Sequence, residues 1–141
     1  MDIKVRKAVF SEAEELFCLV HSFATSFHTN RVAFEDSLKI IMSDQSAFLR
    51  VAESNSQLIG YCLGFDHYTF YANGRVSWLE EIMVQEDYQM KGVGRKLMEA
   101  FETWAMSRES KLIALATRRA SSFYQALHYK KSAIYFRKIL E

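Results

Sequence analysis

Proline is absent from the 141-residue chain, and only five glycines and two cysteines occur in it. Without proline no element is interrupted by a missing N–H donor, and a proline-rich linker is excluded. Cys18 and Cys62 are too few for a disulfide framework or a thiolate zinc site, so both read as reduced core thiols. No apolar run approaches the roughly 20 residues that a bilayer requires. The charged, alternating start Met1-Asp2-Ile3-Lys4-Val5-Arg6-Lys7 is neither a secretory signal nor a membrane span. Net charge is only +1, too little for a dedicated nucleic-acid binder. The expectation is a protein of the reducing cytoplasm, with neither membrane nor nucleic acid as partner.

Half of the residues are apolar and a quarter charged, the balance of one globular domain over residues 1–141. Alternation over residues 3–9 predicts a first strand. Ser11 and Glu14 have the spacing of a capping box, opening a helix with Leu16, Leu19, Val20, Phe23 and Phe27 on one stripe. A short helix is predicted over residues 35–42, strands over 47–53 and 58–70 around the polar turn Ser54-Asn55-Ser56-Gln57, and a strand over 76–84 after Asn73-Gly74. A helix over 92–108, a strand over 111–117, a short helix over 121–127 and a last strand over 133–140 complete the order β-α-α-β-β-β-α-β-α-β. That order makes a mixed α/β sheet. From Ser110 to Leu140 there are seven basic residues and no acidic one, either a solvated face or a surface turned to an anion.

The most informative stretch is Val84-Gln85-Glu86-Asp87-Tyr88-Gln89-Met90-Lys91-Gly92-Val93-Gly94-Arg95, where a strand ends and two glycines open a helix. A helix start leaves N–H groups unpaired and carries partial positive charge, so it suits a phosphate. Lys91, Arg95 and Lys96 stand at this positive end, where the dipole favours acids, so an anionic guest explains them better than helix stability. A Rossmann turn needs a third small residue where Leu97 stands, and a Walker loop needs Gly-Lys-Ser/Thr, which is absent.

Gln89-x-x-Gly92-x-Gly94 resembles the Gln/Arg-x-x-Gly-x-Gly/Ala motif of the GNAT superfamily of acetyl-CoA-dependent N-acyltransferases. Ala120-Ser121-Ser122-Phe123-Tyr124-Gln125-Ala126-Leu127-His128-Tyr129 resembles that family's Ala-x-x-Phe-Tyr-x-x-x-Gly-Phe segment, and element order and length agree over essentially the whole chain. The resemblance implies a single-domain mixed sheet with helices on both faces, whose fourth and fifth strands splay to admit the pantetheine arm of acetyl-CoA. It implies a pyrophosphate cradle from Met90, Lys91, Gly92, Val93, Gly94 and Arg95, with Gln89 beside it, and pantetheine contacts along Ile82, Met83 and Val84. Thr117 stands where the family often has a cofactor-holding Asn, and His128 where it has Gly; for His128 a structural substitution is expected. A bulky residue at Gly94 is expected to weaken CoA binding and spare the fold.

Acetyl transfer needs a neutral amine, a polarised thioester carbonyl and a proton for the leaving thiolate. Tyr124 matches the family's frequent general acid, and tyrosine (~10) lies near enough to a thiol (~8.5) to protonate it. Glu80 and Glu81 interrupt an apolar strand. Strict alternation would place Glu80 with Ile82 and Val84, and Glu81 with Leu79 and Met83. The family places an acid facing the acceptor at the position of Glu80, the expected base, with Glu81 or water as alternatives. Tyr68, Phe70 and Tyr71, with Phe23, Phe27 and Phe34, could line an acceptor pocket or belong to the core. No metal is expected, since His21, His28 and His67 lack partners at ligand spacing. The resulting expectation is an N-acetyltransferase acting on an amine of a small molecule or a protein; the alternative is an idle acyl-CoA-binding sensor on the same fold. The resemblance also implies a homodimer.

Overall fold

The computed structural model describes residues 1–23 and 27–140. Strands β1 (Lys4–Lys7), β2 (Ala47–Ser54), β3 (Gln57–Thr69), β4 (Gly74–Val84) and β5 (Ile113–Leu115) form one sheet in sequence order. The first four pair antiparallel, and β4 pairs with β5 in parallel. Helices α1 (Ala13–Phe23) and α2 (Arg31–Met42) cover one face of the sheet; α3 (Val93–Ser107) and α4 (Ser121–Ala126) cover the other.

Alternation along the strands sorts two cores. Val51, Leu58 and Tyr61 pack with Leu16, Leu19 and Leu38 under α1 and α2. Phe48, Ala52 and Cys62 pack with Leu97, Met98 and Phe101 of α3 and with Tyr124 of α4. Gly64 admits α3 closely: a Cβ there would stand 2.4 Å from the Phe101 ring. The far end of α3 is fixed by buried Asp66 of β3, which accepts two hydrogen bonds from the Arg108 guanidinium (2.6 and 3.0 Å). A buried carboxylate held this way orients the helix, and removing one partner of such a pair costs about 3–5 kcal/mol.

Two expectations change, and a third falls partly outside the described residues. The cap of α1 is not built on Ser11: a 3-10 turn, Phe10–Glu12, precedes the helix, and Glu12 folds back to accept the Val9 N–H at 3.0 Å. The continuation of the α1 stripe over residues 24–26 lies outside the described residues, and Phe27 beyond it is exposed. The strand expected over 133–140 is absent: the segment forms no ladder, and Ile134, Phe136 and Leu140 are each more than four-fifths exposed. Alternation makes a strand only where an edge offers hydrogen bonds. Here Tyr135 stacks on Trp78 instead, with ring centroids 6.3 Å apart.

Candidate active site

Strands β4 and β5 pair only at Ser77–Ile113, Trp78–Ala114 and Leu79–Leu115. Beyond Leu79, β4 runs on to Val84 with no partner on that side. The separation starts at a β-bulge: Leu63 pairs with Glu81 and Gly64 with Leu79, so Glu80 is an extra residue. A bulge bends the strand that carries it. On the β3 side the ladder continues to Gln85, whose N–H bonds Ile59 O at 2.8 Å. The alternation of an antiparallel ladder therefore directs the main-chain groups of Met83 to β3 and those of Ile82 and Val84 into the open side. Of the three residues expected to offer free main-chain groups, Met83 does not.

The loop after β4 closes on itself. Gln89 Nε2 donates to Val84 O at 3.0 Å, so this side chain shapes the turn. Met90 (φ 63°) and Gly92 (φ 87°) are both left-handed, and Gly92 caps α3 with open space around it. Lys96 N–H makes a helical bond back to Gly92 O, which leaves the N–H groups of Val93, Gly94 and Arg95 ahead of the ladder. Lys91, Arg95 and Lys96 are exposed, and no ion pair engages them among the described residues. Unpaired donors, a glycine cap and exposed cations, Lys91 resting over the Tyr88 ring (5.9 Å) and Arg95 beside it, fit a diphosphate. Gly94 has a second duty: a Cβ on it would stand 3.2 Å from Cζ of Phe123. A bulky residue there disturbs α3–α4 packing, contrary to the expectation that the fold would be spared.

Tyr124 lies in the core under α3, 6 % exposed, between Phe123 (5.0 Å) and Tyr129 (5.9 Å). Burial pushes its hydroxyl up to about 12, helped by nearby Cys62. Thr117, past the end of β5, is engaged locally: its Oγ1 accepts the Ala120 N–H at 3.1 Å. His128 ends α4 at φ 73°, the left-handed position in which glycine is common.

The bulge also breaks strict alternation: Glu81 keeps the face of Met83, as expected, but Leu79 lies on the other. Leu79, Ile82 and Val84 all pack into the α3 core, whereas Met83 packs with the α1–α2 core. Glu81 stands on this second side, accepting the Tyr61 hydroxyl at 2.8 Å. Glu80 is raised above the usual carboxylate range by burial and by the charge of Glu81, against a hydrogen bond from Trp78 that lowers it. Sequence reasoning missed Tyr61, because its partnership with Glu81 depends on register rather than spacing. A pocket of about 230 Å³ between α1, α2 and the sheet reaches Glu81 and takes in Phe34. Tyr68, Phe70 and Tyr71 are exposed around the far β3–β4 turn and do not reach it. A larger open groove, about 630 Å³, lies by β1, β2 and α3 at the opposite sheet edge. Among the described residues no group of three or more His, Cys, Asp or Glu is placed to hold a metal ion, and no helix is long and apolar enough to cross a membrane.

This glycine-capped helix start lies beside a gap between two strands, and residues 11–129 match the profile described as Acetyltransferase (GNAT) family. The chain belongs to the GNAT acetyltransferases. Its relatives include a Bacillus subtilis (strain 168) protein named as the uncharacterized N-acetyltransferase YhfO, 22% identical over 135 residues, covering 92% of this chain and 91% of the relative. Among solved structures, a transcriptional regulator from Bacillus halodurans C-125 superposes with a TM-score of 0.90 at 19% identity, covering 99% and 100% of the two chains. Glucosamine-6-phosphate N-acetyltransferase from Arabidopsis thaliana gives 0.88 at 18% identity over 100% of both. At such identities these two share the fold with this GNAT chain; its own residues must supply the rest.

Proposed function

We propose that the chain is an N-acetyltransferase that joins the acetyl group of acetyl-CoA to an amine of a small molecule or protein, by direct attack in a ternary complex. The observation that supports this most is the course of β4. It leaves β5 after Leu79, with the glycine turn and Tyr124 on the α3 side, Glu81 on the α1–α2 side and Glu80 at the bulge between them. An amine and a thioester entering from opposite sides would meet in the gap.

Acetyl-CoA supplies the acetyl group already activated as a thioester. The N–H groups of Val93, Gly94 and Arg95, with Met90, Lys91 and Gly92, hold its diphosphate. Ile82 and Val84 offer main-chain groups to the amides of the arm and polarise the carbonyl. Glu80, raised by burial and by Glu81, takes the proton of the acceptor ammonium; the N–C bond forms as the C–S bond breaks. Tyr124 gives its proton to the departing sulfur, and the second proton that the nitrogen sheds on becoming an amide leaves to solvent, from which Tyr124 is reprotonated. Glu81 remains the alternative base.

The test is thiol release from acetyl-CoA across a panel of amines, with calorimetry of acetyl-CoA binding alongside. Tyr124→Phe should lower kcat roughly 10²–10⁴-fold with acetyl-CoA affinity unchanged. An unaltered kcat, where chemistry limits the rate, removes Tyr124 from the mechanism. Tight binding without transfer to any amine would favour the second reading, an acyl-CoA-binding module. The engagement of Thr117 with Ala120 is the feature that favours it.

A further inference from the structure

The pocket that ends at Glu81 has an uneven chemistry. Its walls are chiefly apolar, with Leu16, Val20, Phe34, Leu49 and Leu63 among them, and among the described residues Glu81 is the single charged side chain that lines it. Most of its polar groups are already committed. Asn30 Oδ1 caps α2 by accepting the Ala33 N–H (2.8 Å), Thr29 Oγ1 lies 2.7 Å from His21 Nδ1, and the Tyr61 hydroxyl donates to Glu81. Among the described residues no lysine or arginine lines the space. A guest therefore meets one negative charge, a few uncommitted polar groups (the Ser37 hydroxyl and the Asn30 amide N–H) and a wide apolar wall.

That inventory discriminates between amines. A sugar amine would bring more hydroxyls than Ser37 and the Asn30 amide could bond, at a cost of about 1–3 kcal/mol for each group left unpaired. A phosphorylated amine would bring a dianion beside Glu81 with no cation to meet it. A polyamine would find one carboxylate for several ammonium groups, and the surplus charges would be desolvated unpaired. A compact apolar body with one amine leaves nothing unpaired: its carbon frame lies against Leu16, Phe34 and Leu63, and its ammonium reaches the carboxylate.

Resting on the N-acetyltransferase reading above, we infer that the acceptor is a small, singly charged primary amine on an apolar aliphatic or aromatic frame, anchored by Glu81. Glu81 is oriented for this by the Tyr61 hydroxyl, while Glu80 beside it meets solvent and can pass a proton on. The pocket mouth lies along α2 at Ala33 and Ser37, both exposed, so a larger residue there narrows the entrance without entering the core.

The experiment compares kcat/KM for 2-phenylethylamine and hexylamine with that for spermine and glucosamine 6-phosphate, under saturating acetyl-CoA. The apolar amines should be favoured by about 100-fold or more. Ala33→Phe, or Ser37→Leu should the first not fold, should raise KM for 2-phenylethylamine about tenfold or more while acetyl-CoA affinity by calorimetry is unchanged. Glu81→Gln should cost about 10²-fold in kcat/KM for the same amine, mainly through KM. Preference for spermine or glucosamine 6-phosphate, or indifference of KM to the α2 substitutions, overturns the inference and leaves acetyl transfer standing. Failure to bind acetyl-CoA, or binding without transfer to any amine, overturns the N-acetyltransferase reading and the inference with it.

Discussion

Burial acts on Tyr124 and Cys62 alike. Both lie in the core under α3, and each is pushed up to about 12, chiefly by desolvation. In water a phenol with that value would be a poor match for a thiolate near ~8.5. A thiolate leaving into the same apolar surroundings is itself raised, as Cys62 demonstrates, so acid and leaving group stay matched where they meet. Tyr124 consequently keeps its proton well above neutrality. For a good amine, kcat/KM should rise with pH and stay level to about pH 10, with no falling limb from this residue below that. The rising limb belongs to the base. Glu80 has a raised value, so it is ionised and competent only above that value. Glu80→Gln should move the limb to higher pH, where the amine loses its proton unaided, and Glu81→Gln, which removes the charge that helps to raise Glu80, should move it to lower pH. A pH–rate profile of both variants reads this directly: the opposite pattern transfers the role to Glu81, and a limb unmoved in either means that water takes the proton.

At the scale of elements, the two glycines at the start of α3 separate under substitution. Gly92 holds φ 87° with nothing near its missing Cβ, so Gly92→Ala strains only the backbone of the cradle. Gly94→Val pushes instead against Phe123. Acetyl-CoA affinity should fall about tenfold in the first variant with a nearly unchanged Tm, and the second should lose thermal stability as well; equal Tm losses would refute the division. The glycine turn was legible in the sequence because its chemistry is local: a helix start, flexible backbone and misplaced cations lie within a few residues. The α3 stripe was legible for the same reason. The Glu80 bulge was not, because an extra residue exists only relative to the β3 register, and strict alternation consequently put Leu79 on the face of Glu81 and Met83 when it lies on the other. Residues 133–140 failed in the opposite sense: their alternation is real, but alternation does not supply a neighbouring edge.

For the whole molecule, ligand binding and folding are linked. Strand β5 is three residues long and touches one neighbour, and α4 is six residues long, so the α3–α4 side of the gap is held by few local bonds. A ligand bridging the α3 cradle and β4 would join these parts. At a free concentration about 100-fold above its dissociation constant, acetyl-CoA should stabilise the fold by about 2.7 kcal/mol. For a chain of this length that is a rise in Tm of roughly 5–10 °C. Differential scanning calorimetry with acetyl-CoA and, as control, adenosine alone measures it; no rise with acetyl-CoA at that excess would mean that the folded chain does not bind it.

Glu80 has no partner in the β3 register, and removing it would restore a strand in which Leu79, Glu81 and Ile82 alternate without interruption. Deletion of that one residue should thus be conservative for folding yet disabling for turnover: a straighter β4 would let the sheet zip shut past Leu79, and Tm should hold or increase while acetyl-CoA no longer binds. Seen over generations, the codon for Glu80 is a place where selection for durability and selection for activity pull in opposite directions. A lineage released from the need to acetylate would lose that codon early and gain a sturdier protein by doing so.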